Sequence, residues 1–225
     1  MKYQDFENAF SKARLNKYLN ACNGKKGSAL ILYRQNIKLC QKFYGILNIF
    51  EVVLRNAINN HYKTYFADND WIKHQLKPGG MLENHPQMAS VESLIKNLEK
   101  MGSYTNDRIV SSVSLGFWTH LFSRKPFALG GKSLLQIFPS RTKGIGQRVI
   151  YNEIQVIKSF RNRIAHQEAI CFDESGTKNT TKVKGYYALV VKYIRFMSFP
   201  ENQLFWGLDT IPLTIQRGKR LSSVG

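Results

Sequence analysis

The recurrence of apolar residues at helical spacing restricts the fold of this chain more than any other feature. It is most regular between Gly146 and His166, where Ile150, Ile154, Ile157, Phe160 and Ile164 fall at i, i+4, i+7, i+10 and i+14, one face of a helix with 3.6 residues per turn. Tyr3, Phe6, Phe10 and Ala13 predict a short amphipathic first helix, ended by the loop Asn20 to Gly27. Ser28 reads as the N-cap of a long pattern through Ile31, Ile37, Phe43, Ile46, Phe50, Val53 and Leu54 to Tyr65. Glycine is a poor helix residue, so this central arm is expected as two helices or as one bent near Gly45. Ser90 to Lys100, Asp107 to Phe122 and Tyr186 to Phe199 predict further helices, the last after a polar loop from Asp173 to Gly185. The basic stretch Ser123 to Gly146 is broken by glycine and proline and predicts one short helix around Ser133 to Phe138. Asp68 to Gln87, with Pro78-Gly79-Gly80 and Pro86, carries turn chemistry and reads as a surface connection. The fold class expected is all-α, a single domain over residues 1–225 with its core at 28–200 and a loose basic tail at 213–225 that includes Arg217-Gly218-Lys219-Arg220.

A chain of 225 residues with 43% apolar content is an ordinary globular protein by composition. Its charge is not ordinary: 33 Lys+Arg against 15 Asp+Glu leave +18, which favours RNA, DNA or an anionic membrane surface as partner. The longest apolar stretch, Gly45 to Leu54, is interrupted by Asn48 and Glu51, well short of the roughly 18 residues a membrane span needs. The start Met1-Lys2-Tyr3-Gln4-Asp5-Phe6-Glu7 has no apolar signal core. Cys22, Cys40 and Cys171 are odd in number and far apart, giving neither a disulfide framework nor a Cys-x-x-Cys metal pair. A soluble protein of the reducing cytoplasm, with no membrane partner, is expected.

Function is concentrated in Ser159-Phe160-Arg161-Asn162-Arg163-Ile164-Ala165-His166-Gln167-Glu168. Asn162 and His166 are four apart and share a helix face, whereas Arg161 falls inside the stripe of Ile154, Ile157 and Ile164, roughly 140° around the helix from His166. A buried unpaired arginine is expensive, so Arg161 needs a carboxylate, backbone carbonyls or a ligand phosphate. Two readings follow. In one, Arg161 makes a structural ion pair and His166 is a solvated residue at a helix end. In the other, a permanent cation braces a phosphate while a histidine moves protons, which is phosphoryl chemistry without metal or cofactor.

Other signals are weaker. Arg55 to His61 fits a loose Arg-Asn-to-His pattern, but His61 sits beside Tyr62, Tyr65 and Phe66, where packing or capping is the expected role. His120, between Trp118 and Phe122, reads as a core or interface histidine, and His74 and His85 lie in the connection with no partner pattern. Gly130-Gly131-Lys132-Ser133 is not a phosphate-binding loop, since the glycine required five positions before Gly131 is Pro126. Arg124, Lys125, Lys132, Arg141, Lys143 and Arg148 form either an electrostatic track for RNA or a solvated charged surface.

The segment Arg161-Asn162-Arg163-Ile164-Ala165-His166 resembles the Arg-Asn-x-x-x-His signature of HEPN domains, and more narrowly of the Abi-like (abortive infection) family. Glu51-Val52-Val53-Leu54-Arg55-Asn56-Ala57-Ile58 is similar to that family's Glu-x-x-Leu-Arg-Asn block, with Asp70-Trp71 following. Gly116-Phe117-Trp118-Thr119-His120-Leu121-Phe122 is similar to its Gly-Phe-Trp-x-x-Leu-Phe block. The resemblance spans about residues 28 to 200. It implies a HEPN-like helical bundle with extra peripheral helices and loops, a homodimer, and metal-independent endoribonuclease activity in phage defence or as a growth-arresting toxin. His166 would then serve as general acid or base, Arg161 would stabilise the phosphorane, and Asn162 would orient the phosphate or imidazole. Glu51 would fix Arg161, Arg55 would add charge to the RNA cleft, and Lys158, Arg163, Arg148, Lys143 and Arg141 would contact RNA. Glu51 and Arg55 equally suit an ordinary i, i+4 helix pair. One chain supplies a single such histidine, while acid and base steps want two, which a two-fold dimer provides. HEPN toxins silenced by nucleotidyl transfer carry a tyrosine two residues after the histidine; Glu168 stands there, so that regulation is not supported and an antitoxin or phage-derived trigger is left unnamed. The alternative from another class is a non-catalytic RNA-binding or scaffold protein.

Overall fold

The computed structural model describes residues 3–172 and 180–212. Among these residues run eleven α-helices and one 3-10 turn, with no strand element, so the fold is all-α. None of these helices is long and apolar enough to cross a membrane. The expected basic tail at 213–225, and the part of the polar loop at 173–179, lie outside the described residues.

The single first helix expected is in fact two, α1 (Tyr3–Phe10) and α2 (Lys12–Ala21). Ser11 breaks it: its φ of 69° leaves the helical region, and its hydroxyl accepts the Arg14 N–H at 3.4 Å as an N-cap. The next helix, α3 (Lys26–Phe66), starts before Ser28 and runs unbroken through Gly45 for 41 residues. Phe43, Ile46, Leu47 and Phe50 are all fully buried around that glycine. Their packing outweighs the roughly 1 kcal/mol that glycine costs in a helix.

Asp68 to Gln87 is not a surface connection. It contains α4 (Trp71–Gln75), and Trp71, Ile72, Leu76, Met81, Leu82 and His85 are buried. The Trp71 indole N–H donates to Asn59 Oδ1 at 3.0 Å. Isolated apolar residues between turn formers have no period, so periodicity could not show that they are core. After α5 (Met88–Lys100) the helix expected over Asp107 to Phe122 divides into α6 (Asn106–Ser112) and α7 (Leu115–His120), with Val113 and Ser114 extended between them. The basic stretch holds α8 (Arg124–Leu129) besides the 3-10 turn Leu134–Ile137 at the expected place. The chain continues through α9 (Gln147–Ala165), α10 (Thr180–Phe196) and α11 (Glu201–Leu204).

The helices pack as two compact units. The first takes Met1–Leu47, Ser159–Leu189 and Phe205–Gly225, and the second takes Asn48–Lys158 and Val190–Leu204. In the first unit Leu15, Tyr18, Ala29, Leu32, Tyr33, Cys171 and Phe172 form a cluster, with Tyr18 edge-on to both Tyr33 and Phe172 at 5.2 Å. In the second unit Trp71, Phe117, Trp118, Phe122 and Phe138 are fully buried.

The Gly130-Gly131 pair belongs to that second core. A Cβ on Gly130 would come 2.5 Å from the Tyr62 hydroxyl, and Gly131 has a φ of 70°. Gly131→Ala is therefore expected to cost about 1–2 kcal/mol through the left-handed backbone alone. Equilibrium urea unfolding checks this, and an unchanged midpoint would contradict it.

Candidate functional site

Arg161, Asn162, Arg163 and His166 come together at the C-terminal end of α9, within the first unit. The helix stops at Ala165 in a Schellman turn. The Gln167 N–H donates to Ile164 O at 3.0 Å, the Glu168 N–H donates to Arg163 O at 2.9 Å, and Gln167 takes a φ of 53°. His166 is the C-cap, and its own N–H still donates to Asn162 O at 2.9 Å. Helical spacing thus persists up to His166, so Asn162 and His166 share a side and both are exposed, while Arg161 is half-buried. Neither Arg161 nor Glu51 is without an interaction partner.

The turn is anchored from both sides. Phe160, the last residue before the signature, stacks on Tyr186 at 4.0 Å and meets Phe43 edge-on at 4.9 Å. Beyond the helix, Asn36 of α3 supplies partners to backbone groups of residues 168–171. Its Nδ2 donates to Glu168 O at 3.1 Å, while its Oδ1 accepts the N–H groups of Ile170 at 2.9 Å and Cys171 at 3.3 Å. Asn36 is only 2% exposed, and its amide carries a donor and a separate acceptor on one neutral side chain, so it serves both kinds of backbone group at once. Arg163 reinforces the same turn: its Nε pairs with Glu168 Oε2 at 3.0 Å and its Nη2 donates to Ala169 O at 3.1 Å. Arg14 donates to Gln167 O at 3.3 Å. Arg163, expected to touch RNA, is thus engaged in holding the signature turn, and Glu168 is its partner.

A cavity of about 480 Å³ flanks the turn, lined by Ile37, Gln41 and Tyr44 of α3 and by Ala165 and Gln167 on either side of His166. Cys40 also lines it, but burial pushes its thiol up to about 11, so it stays protonated and is no nucleophile.

The remaining expected residues belong to the second unit. Glu51 and Arg55 lie one turn apart on α3, and Arg55 Nε is buried without a hydrogen bond among the described residues. Arg141 donates to Leu135 O at 2.9 Å and so closes the 3-10 turn. Lys143 and Arg148 are exposed and Lys158 is half-buried. The other two resembling blocks are chiefly packing elements: Leu54, Ile58, Phe117 and Trp118 are all fully buried.

The histidines outside the signature divide by partner. Ser133 Oγ donates to Gly130 O at 2.7 Å, so His61 Nε2, 2.8 Å from that hydroxyl, must be the donor to it. His61 is a structural residue, as expected. His74 pairs with Asp68 at 2.7 Å. His85, for which no partner was expected, is buried: its Nδ1 accepts the Gln87 N–H at 3.0 Å and its Nε2 donates to Phe117 O at 3.2 Å. Burial, with His120 adding to it, lowers the His85 pKa from 6.5 to about 4. Between those two values the unfolded chain binds a proton that the folded chain does not, so stability falls as pH drops through that window. Between pH 7 and 5 the loss from His85 alone is expected to be about 2 kcal/mol. Urea titrations at the two pH values measure it, and His85→Gln should flatten the difference. An equal pH dependence in that variant would count against the assignment.

Among the described residues no three His, Cys, Asp or Glu side chains gather as a metal ion requires. No protein-family model, curated protein or solved structure matches the chain.

Proposed function

We propose that the chain is an endoribonuclease of the HEPN, Abi-like kind that cleaves RNA without a metal, in phage defence or as a growth-arresting toxin of the cytoplasm. The observation that carries this reading is His166 itself, an exposed residue capping the C-terminal end of a helix whose following turn is braced, with Asn162 one turn before on the same side and Arg161 next to Asn162 in sequence.

In this reading His166 removes the proton of a ribose 2′-hydroxyl, whose oxygen attacks the neighbouring phosphorus as the P–O5′ bond breaks. Arg161 stabilises the charge on the phosphorane, and Asn162 orients a non-bridging oxygen. The products are a 2′,3′-cyclic phosphate and a 5′-hydroxyl end. The departing 5′-oxygen needs a proton from a second acid, for which a second copy of the chain supplies its His166. The cavity beside the turn offers Tyr44 as a stacking surface for a base, and the +18 charge draws RNA to the protein.

A fluorescently labelled RNA incubated in excess EDTA tests the reading. Cleavage by the native chain that His166→Ala abolishes supports the enzyme. RNA binding by both proteins with cleavage by neither favours the scaffold alternative.

A further inference from the structure

The turn that follows α7 borders a solvent-open pocket that RNA cleavage at His166 leaves unused. It lies within the second unit, has a volume of about 200 Å³, and brings His120, Ser123, Lys125 and Asn84 together against Met81 and Leu129. Rigid backbone delivers these groups. The Ser123 N–H donates to His120 O at 2.8 Å, which fixes one wall. The opposite wall turns so tightly at Gly80 that a Cβ there would come 2.2 Å from Gln75 O. Gln75 also holds that wall, accepting the Leu82 N–H on its backbone oxygen and the Met81 N–H on Oε1, both at 2.9 Å.

His120 is oriented by His85, whose ring meets it edge-on at 4.6 Å and 80°. With both of its nitrogens already bonded, His85 has no freedom to turn. Among the described residues, neither ring nitrogen of His120 has a hydrogen-bond partner, nor does the Asn84 amide, and Lys125 makes no ion pair. The Ser123 hydroxyl caps no helix N–H. Four uncommitted polar groups therefore converge on one small space with apolar backing. No carboxylate is among its lining residues, and burial, with Lys158 adding to it, lowers the His120 pKa from its ordinary value.

We infer that this cavity binds a phosphate monoester, with Lys125 countering the charge and His120, Ser123 and Asn84 donating to the phosphate oxygens. A tetrahedral dianion accepts several hydrogen bonds at once, which is what a pocket with a cation, an amide, a hydroxyl and an imidazole but no carboxylate in its lining can satisfy. Met81 and Leu129 would then face the carbon framework esterified to the phosphate. The shared chemistry fits a free mononucleotide or the 5′-phosphate end of an RNA.

Titration of the full chain with inorganic phosphate and with AMP, followed through the His120 ring resonances, tests the site. Saturable shifts at His120 with both ligands, and none with adenosine, are expected. Lys125→Ala, at an exposed position that the fold does not need, should weaken binding about tenfold or more, while the exposed Lys96→Ala, which removes the same charge elsewhere in the unit, should not. His120→Gln should also weaken binding while it preserves the ring-sized volume better than alanine. In a His166→Ala background, a 5′-phosphorylated RNA that binds more tightly than its 5′-hydroxyl twin identifies an RNA end as the source. Twins that bind equally, with AMP still saturating the site, identify a free mononucleotide. No saturation by any phosphate, or equal loss in Lys125→Ala and Lys96→Ala, overturns the inference.

Discussion

Asn36→Leu is expected to destabilise the first unit by about 3–5 kcal/mol, although the two side chains are similar in volume. The substitution removes the donor to Glu168 O and the acceptor for the Ile170 and Cys171 N–H groups, all in a site that is 2% exposed. Each buried backbone group left unsatisfied costs about 1–3 kcal/mol, and the apolar gain of leucine offsets only part of the total. Urea unfolding measures the loss, and amide exchange locates it: the Ile170 and Cys171 amides should lose protection ahead of the second unit's core. A loss below about 1 kcal/mol would show that Asn36 does not carry the turn. Because the same turn holds His166, the variant should also lose whatever RNA cleavage the native chain has.

His166→Ala is expected to leave stability within about 0.5 kcal/mol of the native chain, since exposed positions away from special features seldom contribute more. Cleavage, in contrast, should fall about 10²–10⁴-fold, the range that general acid–base catalysis supplies. Arg161→Lys should also reduce cleavage, because an ammonium is a point charge and cannot brace two phosphate oxygens as a planar guanidinium does. Loss of folding in His166→Ala, or retention of full cleavage, would remove the histidine from the chemistry.

Long periodic elements were legible in the sequence, and short ones were not. α9 matches its expected range almost to the residue because five apolar side chains repeat on one face. α4 and the buried residues after it were invisible, because Trp71, Ile72, Leu76, Met81 and Leu82 lie among turn residues and are placed by tertiary contacts such as the Trp71 to Asn59 bond. The break between α6 and α7 was hidden because Ile109, Val113, Phe117 and Leu121 keep a helical rhythm across an extended pair of residues.

At the site, the sequence pointed to Arg161, Asn162 and His166 and to the helix angle between them. It did not show how the turn is fixed. A trace of Asn36 was present, since it occupies the apolar register of α3 between Tyr33 and Cys40, where a polar residue must find a buried partner. The turn groups it bonds lie more than 130 positions away, and no local pattern names them. Arg163 illustrates the converse: a basic residue in this segment reads as a phosphate contact, and no local pattern shows that it also holds Glu168 and Ala169 in the folded turn.

Cleavage of paired substrates in excess EDTA addresses the proposed chemistry most directly. One substrate is an unmodified RNA and its twin carries 2′-O-methyl groups throughout, with product ends read by mass. The predicted result is cleavage of the unmodified strand alone, with 2′,3′-cyclic phosphate and 5′-hydroxyl ends, lost in His166→Ala. Cleavage of the methylated twin, 5′-phosphate ends, or the same products from His166→Ala would contradict it.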